Sequence, residues 1–282
     1  MTEEQPGAVP EPAAADKSGQ GVVAAFGQSL KTLRVRAKME REELGKRLGY
    51  SASTIASFEQ GRRIPPPRAI DRADEVLDAG GLLKVWKDQL ERAQYPAFFQ
   101  GMAQLEKQSI ELLAYDTLVV NGLLQTEEYM RALFGNRRPL FDAETFEQRV
   151  TARLARRDIF DRRPEPLLSF VMCESVLRRK FGGSEVLRGQ LEQLLLIGQL
   201  RNVELQVMPL DCEDNSGVDG PFSVITREDG KRFVYSEAQG ASALETDPKQ
   251  AVLGAARYGI IRSQALTPRE SLAFIEKLLG EL

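Results

Sequence analysis

The chain contains no histidine. That excludes Ser-His-Asp and Cys-His nucleophilic catalysis, imidazole metal sites and histidine-based pH switching. Cysteine is almost as scarce. Cys173 and Cys212 are the only two, they form neither a CxxC pair nor a metal-ligand spacing, and a reduced, cytoplasmic setting is expected. No metal or cofactor is expected either. Long apolar runs are also missing. A membrane helix needs about 20 apolar residues in succession, whereas the densest cluster, 194–197, lies inside an amphipathic stretch, so no membrane partner is expected. The opening residues bring Glu3, Glu4, Glu11 and Asp16 against Lys17 without an apolar core, which predicts no signal peptide. Walker loops and nucleophile elbows are absent too, and with them most grounds for expecting an enzyme.

What is present is concentrated at residues 26–63, FGQSLKTLRVRAKMEREELGKRLGYSASTIASFEQGRR. Phe26, Leu30 and Leu33 recur at helical spacing, and Leu44 and Leu48 repeat it in a second helix whose first turn holds Glu42 and Glu43, where negative charge suits the macrodipole. Gly49 marks a turn with positive φ, and Ser51 is placed to cap a third helix. In that helix Ile55 and Phe58 face inward, leaving Ala52, Ser53, Thr54 and Ser57 outward. Small hydroxyl side chains let a helix approach base edges and exchange hydrogen bonds there.

This stretch resembles the Xre/Cro/phage-repressor type of helix-turn-helix, carried by Arg41, Leu44-Gly45, Gly49, Ser51, Ile55, Phe58-Glu59-Gln60 and Gly61. The resemblance implies that Ser53, Thr54 and Ser57 reach bases, with Arg41 near a phosphate. It also implies an internal ion pair between Arg34 and Glu59. Two positions depart from the pattern. Glu40 replaces the usual hydroxyl cap, and Gly45 replaces alanine, which is expected to loosen the second helix by roughly 1 kcal/mol.

The alternative is an ordinary helical hairpin with a solvated charged face. Charge distribution favours DNA. Residues 26–90 hold 13 Lys and Arg against 9 Asp and Glu, a balance of +4, while the whole chain stands at −3 and its remainder at −7. A basic module on an acidic chain is the footprint of phosphate binding by one part. Ser51, Ala52, Arg62 and Arg63 complete the expected DNA-contacting set, with the two arginines gripping phosphates. The expected partner is a double-stranded operator, an inverted repeat bound by a homodimer.

Residues 1–22, rich in Ala, Pro, Glu and Gly, are expected to be a disordered tail. The helix-turn-helix domain is placed at 23–80, closed by a helix over about 69–76 after the prolines at 65–67. A connecting helix and linker follow at 81–104, with Leu82, Leu83, Trp86 and Leu90 on one face. An effector domain spans 105–282. There, 142–160, 184–200, 248–262 and 268–279 predict helices, and 167–172, 203–208, 222–226 and 232–236 predict strands, the last two joined by an Asp229-Gly230 turn. The fold class expected is all-α first, then α+β with a single sheet flanked by helices.

The second region resembles the effector domain of WhiJ-like, antitoxin-like actinobacterial regulators. The residues that carry this are Gly122-Leu123-Leu124-Gln125-Thr126 with Tyr129, Arg149, Arg153, Arg156, Glu174, Leu177-Arg178-Arg179, Gly182-Gly183, Gln190-Leu191, Val203, Gln206-Val207-Met208-Pro209, Gly220-Pro221-Phe222, Tyr235, Glu237 and Ser271. Asn121 stands where that family usually has proline, and the 211–219 loop lacks the histidine it often carries. The resemblance implies a transcriptional regulator, with a small partner protein or small-molecule effector for the second domain. Its rival is an antitoxin-like protein that sequesters a small toxic partner and autoregulates its operon.

Candidate residues in this region each carry a plainer alternative. Gln125 and its neighbours would shape a pocket, or Thr126 simply caps the helix of Tyr129. Arg149, Arg153 and Arg156 share one helix face and would grip an acidic partner or a phosphorylated ligand, or they are solvated and paired with Glu147 and Asp158. Tyr235 and Glu237 fall on one side of a strand and would line a ligand wall. Glu174 and Arg178 read as a helix pair, and Gly182-Gly183 as a helix stop before a Ser184 cap.

Overall fold

The computed structural model describes residues 17–95 and 99–282, with side chains from Gly21 onward. The chain divides into two compact units between residues 97 and 98, each with its own core.

The first unit is helical. Helices α1 (Lys17–Arg36), α2 (Arg41–Leu48), α3 (Ala52–Glu59) and α4 (Pro67–Val76) precede a short 3-10 turn (Lys84–Trp86) and α5 (Lys87–Ala93). The expected apolar positions form one core, with Phe26, Leu30, Leu44, Ile55 and Phe58 essentially without exposure. Two boundaries differ from expectation. Residues 1–16 of the expected tail lie outside the described residues, but 17–22 belong to α1, where Val22 and Val23 pack on the core. The stretch 81–104 is not a connector of its own. Leu83, Trp86 and Leu90 join the first core, while Met102 and Leu105 join the second. Gly45 also has a packing role. A Cβ there would lie 2.4 Å from the Tyr50 carbonyl oxygen, so glycine is what lets α2 approach the turn into α3.

The second unit holds α6 (Gln100–Lys107), α7 (Glu127–Gly135), α8 (Ala143–Ala155) running into a 3-10 turn (Arg156–Phe160), α9 (Glu174–Arg178), α10 (Ser184–Ile197), α11 (Pro248–Gln264) and α12 (Pro268–Gly280) around one six-stranded sheet. Its strands are β1 (Ser109–Asp116), β2 (Leu167–Cys173), β3 (Val203–Met208), β4 (Phe222–Arg227), β5 (Arg232–Ala238) and β6 (Ala241–Glu245), in the order β3-β2-β1-β4-β5-β6. β1, β2 and β3 are parallel, and β4 to β6 continue antiparallel. This is the expected α+β class.

Alternation along the strands divides the core. Leu112, Ala114, Phe170, Leu205 and Ile225 pack on one face with Leu191, Leu194 and Ile275 of α10 and α12. Tyr115, Val171 and Met208 pack on the other with Tyr258 and Ile261 of α11. Edge strand β3 is covered by the α11–α12 junction: the Val207 N–H donates to Ser271 Oγ at 2.9 Å and its carbonyl accepts from the Leu266 N–H at 2.9 Å. Ser271 is thereby structural, and so is Gln206, whose side-chain amide donates to the Leu266 carbonyl at 2.7 Å. Ser184 does not cap α10; the cap position is Gly183, without a side-chain bond.

Candidate functional site

The first candidate surface is the start of α3. Ser51 accepts from the Thr54 N–H at 3.1 Å, and its hydroxyl also meets Ser53 Oγ at 2.8 Å and Thr54 Oγ1 at 2.9 Å. The three hydroxyls form one linked row. Ser51 and Ser53 are exposed, while Ala52, Thr54 and Ser57 are partly buried. Beyond the far end of the helix, the N–H groups of Arg62 and Arg63 converge on the Ser57 carbonyl, at 3.0 and 3.3 Å. Both arginines are exposed, and the Arg63 guanidinium lies over the Phe58 ring at 5.9 Å.

The frame beneath is held by a charge cluster. Arg34 pairs with Glu59 through two nitrogens and donates to the Met39 carbonyl at 2.7 Å. Burial works against the Glu59 charge, but hydrogen bonds from Arg34 and Arg41 hold its carboxyl below the usual range. Arg41, expected beside a phosphate, turns its Nε inward to Glu59 at 2.7 Å. Glu40 precedes α2 without a side-chain cap.

The second surface gathers around the Gly122–Thr126 loop. Thr126 caps α7 by accepting from the Tyr129 N–H. Tyr129 itself is fully buried against Phe181 and belongs to the core, not to a site. Gln125 is buried, donates to the Val120 carbonyl at 2.6 Å, and accepts from Arg153 at 2.8 Å. Arg157 donates to the Gln125 carbonyl, and its buried Nε has no hydrogen-bond partner among the described residues.

The arginine stripe is therefore not a solvated face. Glu147 pairs with Arg131 instead. Arg156 makes a two-toothed pair with the buried Glu106, at 2.7 and 2.8 Å, and stacks on Phe99 at 4.5 Å. Phe99 meets Tyr235 edge to face, and the Tyr235 hydroxyl donates to Glu237 at 3.2 Å. Arg153 stacks on Phe134 at 4.6 Å. Burial pushes its guanidinium below the usual arginine range, with Arg156 and Arg149 adding to this and Glu237 and Glu106 opposing it. The fold thus brings Gln125, Arg149, Arg153, Arg156, Tyr235 and Glu237 into one electrostatic neighbourhood and leaves Tyr129 outside it.

Sequence reasoning missed Glu106, Phe99, Phe134 and Arg157. Glu106 is 50 residues from its partner and lies on α6, a helix that the apolar spacing did not predict. Arg157 lies off the face of a continuous α-helix, but the backbone tightens to 3-10 from Arg156 onward, which changes the angular spacing. Asn121, in the place of the usual proline, donates to both carboxylate oxygens of Asp116 at 3.1 and 3.3 Å, a bond proline cannot make. Among the described residues no group of His, Cys, Asp and Glu is placed to hold a metal ion, and no helix is long and apolar enough to cross a membrane.

Two family models match the chain. One, described as a helix-turn-helix domain, covers residues 25–84 and carries the first surface, which identifies a DNA-binding regulator of helix-turn-helix type. The other covers residues 99–277. No curated protein and no solved structure matches. Because the larger match spans most of the 282 residues and the whole second core, the chain belongs to the family described as Domain of unknown function (DUF5753).

Proposed function

We propose that the protein is a sequence-specific transcriptional regulator of Xre type that occupies an inverted-repeat operator as a homodimer, through the start of α3. Its second domain, of WhiJ-like kind, changes that occupancy on taking up a small-molecule effector or a small partner protein. It acts in the cytoplasm by binding and not by catalysis. The observation that carries the reading is the hydroxyl row of Ser51, Ser53 and Thr54 at the exposed end of α3, with Arg62 and Arg63 beyond the other end. Short hydroxyls suit base edges and flanking arginines suit phosphates. The Arg34–Glu59 pair, which the Xre resemblance implied, supports the finer assignment.

A single module of this size buries too little surface for usual operator affinities, and pairing across a two-fold axis is the common remedy. Selection from a random duplex library, followed by footprinting and sedimentation, tests this. Enrichment of an inverted repeat with half-site centres about 34 Å apart, protected by two chains, is the expected result. A single protected half-site with one chain bound overturns the dimer, and no enriched sequence overturns specific readout.

A further inference from the structure

One side of α11 is locked onto the sheet. Ala251, Gly254, Tyr258 and Ile261 are buried, the Tyr258 hydroxyl donates to Ser169 Oγ at 3.0 Å, and Arg262 Nε donates to the Gln206 side-chain oxygen at 2.9 Å. A Cβ at Gly254 would lie 2.5 Å from a Val234 methyl carbon, so the helix sits as close to β5 as a glycine allows. It has no freedom to roll. At about 100° per residue, the side turned away from the sheet carries Val252, Leu253, Ala256, Gly259 and Ile260, all of them exposed. The three large residues keep 60%, 58% and 52% of their surface in solvent. The neighbouring helix α12 exposes Arg269, Glu270, Glu276 and Lys277 instead. A helix that is apolar on both sides is one that is covered on both sides.

The outer face of α11 is complementary to itself. When two such helices pack antiparallel about a two-fold axis at Ala256, residues nearly equidistant from it meet. On one flank Val252 meets the partner's Gly259, a branched side chain over bare backbone. On the other flank Leu253 meets the partner's Ile260, and the small Ala256 residues let the helices approach at the axis. Lys249, in the first turn, falls opposite the partner's Ser263, and Arg257 and Arg262 lie about 100° or more around the helix from Ala256. The centre of the contact therefore pairs no like charges, and the opposed macrodipoles favour the antiparallel sense. A parallel pairing would set Lys249 against its own copy and Gly259 against bare backbone. So short a face buries less than the roughly 1,600 Å² of a standard interface. That makes a weak dimer, with a dissociation constant in the micromolar range, which a two-site operator then reinforces.

We propose that α11 is the dimer surface of the second domain, its Val252–Ile260 face packing antiparallel on the same face of a second copy. This rests on the homodimer reading given above, but its test does not need DNA. Sedimentation equilibrium of the full-length chain should show a reversible monomer–dimer equilibrium. Val252→Glu, which places an unpaired charge in the contact, should weaken it at least tenfold while melting with the parent at dilutions where both are monomeric. Ala256→Cys should cross-link to a covalent dimer under diamide, because the two positions meet at the axis, and Glu276→Cys on the outer side of α12 should not. A parent that stays monomeric, a dimer that Val252→Glu leaves intact, or equal cross-linking at both positions would each overturn the surface. A Val252→Glu chain that melts below the dilute parent would mean that another part of the same chain covers the face, and would overturn it too. If the surface fails while two chains still protect the operator, the homodimer reading stands on another interface. If α11 pairs but one chain alone protects the operator, the surface stands and that reading falls.

Discussion

Arg34 and Glu59, 25 residues apart, form a buried two-toothed ion pair that ties the end of α1 to the end of α3. Glu59 has no side-chain exposure, and Arg41 supplies a second cation to the same carboxylate. The pair sets the angle at which α3 leaves the core, which is the geometry a recognition helix depends on.

Removing one member of such a pair leaves the other charged and desolvated. Glu59→Ala should therefore destabilise the N-terminal unit by about 3–5 kcal/mol. Chemical denaturation followed by Trp86 fluorescence reads this directly, since Trp86 packs on the first core. A loss below about 1 kcal/mol, the range of exposed pairs, would show that the pair is not the clamp described.

The α3 surface predicts a separation of stability from DNA binding. Ser53 is exposed, and its hydroxyl touches only the cap residue Ser51, so Ser53→Glu should fold normally and lose specific operator binding. It is a cleaner probe than Thr54, whose hydroxyl and N–H both engage Ser51. Arg63→Ala should weaken all duplexes alike and reduce the salt slope by about 1. Wild-type operator affinity in Ser53→Glu would remove α3 from the groove.

Asp74 predicts acid sensitivity in the first unit. Its buried carboxylate accepts the N–H groups of Gly81, Leu83 and Lys84, at 2.9, 2.9 and 3.4 Å. Burial opposes the charge, yet these donors hold the group below the usual carboxylate range. A depressed folded value means the stabilisation is present above the unfolded value and is lost as pH falls through the folded one. Asp74→Ala should cost about 1–3 kcal/mol at neutral pH, leaving buried donors unsatisfied, and the gap to wild type should close as the pH falls below the carboxylate range. A gap that persists unchanged down to the acid transition would contradict this.

Much of this was legible locally. The helix-turn-helix follows from apolar spacing, one αL glycine and one cap, all within 40 residues. Strands β2 to β5 announce themselves by β-branched and aromatic content. β1, the strand between the parallel and antiparallel halves of the sheet, did not, because its Glu111-Leu112-Leu113-Ala114 run is made of helix formers. Tertiary pairing with β2 and β4 overrides that propensity. β6 was missed for the same reason, with Ala-Leu-Glu at its end. The arginine stripe was visible, but not its inward direction, since Glu106 and Gln125 lie 50 and 28 residues from their partners and no local pattern encodes such pairing.

The last prediction concerns Asp116, at the carboxyl end of β1. Burial pushes its carboxyl up to about 7, against the opposing hydrogen bond from Asn121. Between the unfolded value near 4 and about 7, the folded chain holds a proton that the unfolded chain releases, so stability falls as pH rises across that window and levels off above it. The gap corresponds to roughly 4 kcal/mol at most, reduced by whatever water reaches this partly buried group. Asp116→Asn keeps the size of the side chain and cannot ionise, so it should abolish the slope and be the more stable form above pH 7. Thermal denaturation of both chains from pH 5 to 8, with hydrogen exchange at residues 109–116 assigning the transition to the second unit, measures it. Parallel pH profiles for the two would mean that Asp116 ionises as an ordinary carboxylate, with Asn121 and water compensating its charge in full.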